Sequence, residues 1–319
     1  MATFYSPANR AHPRLASVFS LSSIGWRSSG SGYGGRGGTL VAGSNPRSPV
    51  LSPSDGERES DTTANLRAAS KKLARAGLFF LLLWQTASAA GPVKNFNLWE
   101  KTEFARTQKV FLADTNNVTN GWQFARACYE LADSATNETS RAKFSRQGIA
   151  ACQTVLTHDP KSAPAHYYLA MNFGELAQAE APSLAAYKLV HEVEREFKTA
   201  AALDEKFDHA GPVRNLGELY FQAPGWPLSV GNKRKAREWL DRAAVLAPDY
   251  PENQINLAEL HLKWRERTEA EKALKAVERV WPSVQTNFPG VAWESLRDEW
   301  SRRRDETRAG FKKVFKAEP

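Results

Sequence analysis

Residues 211–248 read GPVRNLGELYFQAPGWPLSVGNKRKAREWLDRAAVLAP, and the fold of the whole chain turns on how this stretch is read. Leu216, Gly217 and Tyr220 stand at L-G-x2-Y spacing, Ala236 and Leu240 at A-x3-L, and Ala243 and Pro248 follow. Apolar and small residues recurring at three- and four-residue intervals predict two helices, joined by the Pro- and Gly-bearing stretch between them. Gly217 predicts a close approach between the two. Tyr220 and Leu240 fill the space between neighbours, and Pro248 stops the second helix because it lacks the donor that would continue the ladder.

The same pattern recurs. In Pro251–Pro282, Leu257, Ala258 and His261 mark the first helix and Ala270 and Leu274 the second. Earlier, His166, Leu169, Ala170 and Phe173 are followed by Val193, Phe197 and Ala200. The first unit is least regular: Trp122, Ala125 and Tyr129, then Gly148, Cys152, Val155 and Pro160, with Arg126 where a small residue is expected. A half-unit, Trp99 to Leu112, flanks it. One helix pair cannot bury its apolar face alone, whereas stacked pairs share a core. The predicted fold is all-α: an α-solenoid of stacked antiparallel helix pairs over residues 91–319, closed by a capping helix at about 291–315. In that helix Trp293, Leu296, Trp300, Thr307, Phe311 and Val314 fall near one face, and the run Arg302–Arg304 reads as the solvated face.

The spacing inside the pairs is uneven. From the first-helix aromatic to the second-helix small residue the interval is nine residues in the last unit (His261 to Ala270) and sixteen in the one before (Tyr220 to Ala236). It is twenty from Phe173 to Val193 and nineteen from Tyr129 to Gly148. Three successive units are therefore expected to carry insertions at the turn inside the pair, building up one edge of the solenoid, a common place for a binding face. Pro224, Trp226 and Pro227 mark the insertion that can be read most closely. The other reading of Trp226 is that it folds back over the helix ends.

The chain has 319 residues and a formal charge of +8, but residues 1–90 hold ten Lys/Arg against four Asp/Glu, leaving 33 and 31 in the remainder. The folded part is nearly balanced, which argues against nucleic acid as a partner. Residues 1–70 read as a disordered leader rich in Ser, Gly, Pro and Arg. Residues 71–90 have the layout of a signal peptide: Lys71, Lys72 and Arg75, a short apolar core from Leu78 to Trp84, and Ala87-Ser88-Ala89 as the cleavage site. That core is far shorter than the ~20 residues that span a bilayer, and no later run is long enough. Either residues 1–70 are not translated in the cell, or they form a transit peptide ahead of a second export signal. The first gives a periplasmic or secreted protein, the second an organelle-lumen one. Cys128 and Cys152 are the only cysteines. In an exported chain an even pair suggests a disulfide, and the alternative is two buried thiols.

These units resemble the tetratricopeptide-repeat (TPR) superfamily over roughly residues 100–282. The segment Gly211–Asn253 also resembles exported bacterial repeat proteins of unassigned activity and, more distantly, the T-component of tripartite ATP-independent (TRAP) transporters. The resemblance implies protein or peptide binding in a concave groove lined by first helices, and it implies no catalytic residues. Helix geometry then points to Tyr167, Met171, Arg214, Glu218, Phe221, Ile255 and Glu259 beside the core stripe, an aromatic-apolar floor with one cation for a peptide carboxylate. Plain solvent-facing surface is the alternative. No enzyme constellation is found: His191 opens HEVER, where the second His of a zinc motif is replaced by Arg195, and no cofactor motif occurs in a fitting context. The expected function is a non-catalytic exported scaffold for a protein or peptide. A soluble transport accessory that relays a small solute is the second expectation.

Overall fold

The computed structural model describes residues 94–225 and 229–319. The expected leader (1–70), the signal peptide (71–90), and Trp226 and Pro227 lie outside the described residues. Among the described residues nine long helices run in order: α1 (Lys94–Ala113), α2 (Val118–Asp133), α3 (Glu138–His158), α4 (Ala163–Ala179), α5 (Leu184–Leu203), α6 (Phe207–Gln222), α7 (Lys233–Leu246), α8 (Pro251–Lys263) and α9 (Arg267–Val280). A short α10 (Val284–Asn287) and the long α11 (Glu294–Phe315) follow, flanked by 3-10 turns at Trp281–Ser283 and Val291–Trp293. Among the described residues there is no strand, only an isolated bridge between Gly225 and Gly231. The fold is an all-α solenoid in which α2/α3, α4/α5, α6/α7 and α8/α9 pack as consecutive pairs and α11 closes the stack against α8.

Local chemistry sets the helix boundaries. The second helices α3, α5 and α7 start on side-chain caps: Asn137 accepts from the Ser140 amide, Ser183 from Ala186 and Asn232 from Lys235. Such caps satisfy amides that have no partner inside the helix. Pro164 and Pro251 occupy the first turns of α4 and α8, where a missing donor costs nothing. Asn232→Ala is expected to lower stability by ~1 kcal/mol, read as a fall of a few degrees in the thermal midpoint.

Packing follows the small-and-large pattern. Ala170 and Ala258 are fully buried, and a Cβ on Gly217 would meet Leu240 Cγ at 2.7 Å, so that glycine permits the α6–α7 contact. One core runs from Phe111 through Tyr129, Phe197, Leu216 and Leu274 to Phe311. A second gathers Tyr250, Ile255, Val277, Val284, Phe288, Leu296 and Trp300 between the last pair and α11.

Several expectations need correction. The surplus residues in the first two pairs do not form loops. The α2–α3 and α4–α5 turns are four residues each, and α3 and α5, at 21 and 20 residues, are longer than α7 and α9 at 14 each. The insertions are extra helical turns that lengthen the rods. Among the described residues, those between α6 and α7 (223–225 and 229–232) lie outside any helix. Cys128 and Cys152 are free thiols, both wholly buried in the core between α2 and α3, and burial pushes both well above the usual thiol range. They pack as small apolar side chains in place of the expected bridge. Val314 is exposed, and its place on the inward face of α11 is taken by Arg303, which lies in the supposed solvated run. No described helix is long and apolar enough to cross a membrane.

Candidate functional site

The chain enters α6 through a backbone that L-residues avoid. Asp208, His209 and Ala210 have φ of 52°, 56° and 63°, three successive left-handed residues without a glycine. Each such residue costs ~1–2 kcal/mol, so neighbouring contacts must hold the segment in place. The His209 ring stacks on Tyr250 at 4.6 Å between centroids. Its carbonyl accepts from Arg214 Nη1 at 3.0 Å and from Asn253 Nδ2 at 3.3 Å. Burial, helped by the Arg214 charge, pushes the His209 imidazole down to about 4, so the ring is neutral at pH 7.

Arg214 is fully buried. Its Nη1 also donates to Asn253 Oδ1 at 3.3 Å, its Nε lies 3.6 Å from Glu252, and its guanidinium sits 4.8 Å over the Tyr250 ring. Burial alone would push this group down, but the Glu252 carboxylate, with Tyr250, Tyr167 and Asp208, outweighs it and keeps the cation firmly protonated. One turn along α6, Glu218 is buried too. Burial pushes its carboxyl up to about 7, the Arg303 charge pulls against that, and Glu259 and Glu252 push the same way as burial. Its Oε1 has no hydrogen-bond partner among the described residues.

Arg303 closes this cluster from α11. Nε and Nη2 clasp the two oxygens of Glu259 at 2.9 and 2.6 Å, Nη2 also donates to Asn256 Oδ1 at 2.6 Å, and Nη1 stands 3.7 Å from Glu252. The fork geometry of a guanidinium suits such a paired carboxylate. Nearer the N-terminus, Asn215 Nδ2 donates to Tyr167 Oη at 3.0 Å and lies 3.2 Å from Met171 Sδ. Gly211 permits this approach, since a Cβ there would meet Tyr167 Oη at 2.8 Å. A further buried pair on the inner helices joins Arg126 to Glu130 at 2.9 Å, where a small residue was expected.

The seven residues expected to line an open groove therefore divide. Arg214, Glu218 and Glu259 come together in one polar cluster, joined by Glu252, Asn253, Asn256 and Arg303. Tyr167 and Met171 are fully buried and tied to Asn215, and Ile255 belongs to the second core. Phe221 remains partly exposed and meets Trp264 edge-on at 5.9 Å between ring centroids. In the neighbouring loop, Pro224 O accepts from Gly231 N at 2.9 Å, and Asn232 N donates to Tyr220 O. The cluster's key member, Arg303, was readable in the sequence: it falls three residues after Trp300 and four before Thr307, on the same stripe.

The helical segment from α1 to the start of α6 has a match among known families. The family model described as regulator of microtubule dynamics protein 1-3 matches residues 97–210. That family is helical, as is this segment. No curated protein matches the chain.

Glu218 supplies a pH test. Its folded value of about 7 stands above the ~4.3 of an unfolded glutamate, so the folded chain holds the proton more tightly. Stability from this group therefore falls as pH rises from about 4.3 to about 7, and the full penalty persists above that. Glu218→Gln should melt higher than the native chain at alkaline pH and at the same temperature near pH ~4.3. His209 titrates in both proteins and cancels in the comparison. An equal shift at both pH values would show that Glu218 is not the titrating group.

Proposed function

We propose that this chain is a non-catalytic scaffold of the TPR type that holds a protein or peptide partner against its inner helices. The observation that carries the reading is the polar cluster on α6 and α8. Natural cores bury few polar atoms without partners, and those that occur call for an explanation such as water, strain or a ligand. Here Glu218 Oε1, Arg214 Nη2 and Asn256 Nδ2 lack hydrogen-bond partners among the described residues, and all three lie on first helices. The strained Asp208–Ala210 backbone, which aims Arg214 and His209 at the same place, supports it further. The name of the matched family speaks of regulating microtubule dynamics, which favours a polypeptide partner over a small solute.

A photo-crosslinking residue at Glu259, whose side chain keeps 26% of its exposure, tests the reading against one at Glu271 on α9. Microtubules and whole-cell extract are the two baits. A partner captured from Glu259 and not from Glu271 is the expected result, and equal capture from both, or none, ends the proposal. A small molecule that stays bound through desalting and appears in native mass spectra would favour the solute reading instead. The export address is proposed separately. A mature chain starting near Ala90 supports it, whereas one starting well before residue 87 contradicts cleavage there and leaves microtubules within reach as a partner.

A further inference from the structure

We propose that the outer edge around Trp264 is a second docking site, for an acidic peptide segment that carries one aromatic or large apolar anchor residue. It extends the scaffold reading only in taking a polypeptide, since none of its wall residues belongs to the Arg214–Glu218–Arg303 cluster. A cavity of about 520 Å³ opens here, walled by Trp264 and by Lys233, Arg234 and Arg237 from the start of α7. Its volume falls within the ~300–1,000 Å³ of ordinary ligand pockets, enough for one large side chain and its neighbours. Trp264 is partly exposed, with its ring edge-on to Phe221. Three cations gather on these two rings: Lys233 Nζ at 5.7 Å and Arg237 Cζ at 5.3 Å from the Trp264 centroid, and Lys263 Nζ at 4.4 Å from that of Phe221.

The wall carries three cations, Lys233, Arg234 and Arg237, against three acids, so an incoming carboxylate is drawn by the cations left without a partner and not by net charge. Three acids share it: Glu238, Asp241 and Glu266. Glu266 is already occupied by Arg237 and by His261, the latter at 2.7 Å. Glu238 meets Arg234 at only 3.7 Å, with both side chains largely in solvent, so that pair is weak. Among the described residues Lys233 and Lys263 have no carboxylate within ion-pair distance. The first turn of α7 carries Lys233, Arg234 and Lys235 and no acid, so the positive end of the helix adds to the same field. Glu238 and Asp241 keep the far wall acidic, which disfavours a compact anion filling the whole cavity. A segment fits better when its ring enters against Trp264 and its flanking carboxylates reach Lys233 and Lys263.

The test uses the full chain and a fluorescein-labelled peptide of alternating Asp and Glu with one central Phe, followed by anisotropy. Saturable binding that weakens as salt rises is expected. The double variant Lys233→Glu/Lys263→Glu should weaken it by roughly tenfold or more. Trp264→Ala, or a peptide with Ser for Phe, should weaken it by roughly tenfold, while Lys143→Glu on the exposed face of α3 should leave it unchanged. Trp264→Leu serves if the alanine variant does not fold by circular dichroism. The inference is overturned if the peptide does not bind, if the double charge reversal leaves its affinity unchanged, or if inorganic phosphate displaces it as well as unlabelled peptide does. Binding of phosphatidylserine vesicles through Lys233 and Lys263 without binding of the peptide would overturn it too. Loss of Glu259 crosslinking with this peptide binding intact would defeat only the inner-face reading.

Discussion

Trp300→Ala is expected to lower the stability of the chain by ~3–5 kcal/mol, the range seen when a large aromatic is cut from a packed core. Trp300 is fully buried, with Tyr250 at 5.2 Å and Phe288 at 5.3 Å between ring centroids, both edge-on. It is the point at which α11, the tail of α9 and the His209–Tyr250 stack meet, so a hole there cannot close by moving one side chain. Trp300→Phe is expected to cost far less. The indole Nε1 has no hydrogen-bond partner among the described residues, and losing an unsatisfied donor offsets part of the lost volume. Urea unfolding followed by far-ultraviolet circular dichroism separates the two. If the solenoid melts unit by unit, the loss appears in the transition of the C-terminal pair. Equal effects of Ala and Phe would mean that the ring is not packed as described.

The parts of this fold that were legible in the sequence are those where one residue type has one physical job. Gly217 had to be small because Leu240 backs onto it, and Pro248 had to end α7. The insertions misled because counting residues between markers does not say whether the surplus is loop or helix. The answer lay in the caps: Asn137 and Ser183 each stand only four residues beyond the end of the preceding helix, and polar caps announce a helix start. The groove was only partly legible. A helical wheel places Tyr167 and Met171 beside the stripe, but Asn215 from the next first helix covers both. Nothing in Asp208-His209-Ala210 signals three left-handed residues, since Gly211 and Pro212 next to them read simply as a helix start. The strain is set by contacts from α8 and by the ring of Tyr250, and no local pattern carries those.

Arg303→Met is expected to be nearly as damaging as the loss of Trp300, for a different reason. The guanidinium satisfies Glu259 through two hydrogen bonds, holds Asn256, and lies within reach of Glu252 and the field of Glu218. Methionine fills similar space on the apolar stripe of α11 but leaves Glu259 and Asn256 without their donor, while Glu252 keeps Arg214 at 3.6 Å, and breaking a buried pair from one side costs up to ~3–5 kcal/mol. The cost should depend on pH, with a definite sign. Arg303 pulls the Glu218 carboxyl down against burial, so its removal raises the folded value further above about 7. The folded chain then keeps that proton to higher pH. Relative to the native chain, the extra penalty on the variant is greatest above this new value and shrinks as pH falls to about 7, below which both folded chains hold the Glu218 proton. Pairing the change with Glu259→Leu should recover part of the loss at every pH, because a buried ion pair replaced from both sides by apolar groups is often close to neutral. Urea titrations of the single and double variants at alkaline and mildly acid pH decide the matter. A single variant whose loss is independent of pH, or a double variant that is worse than the single at both, would show that Arg303 stabilises α11 through its packed stem and not through the charges it faces.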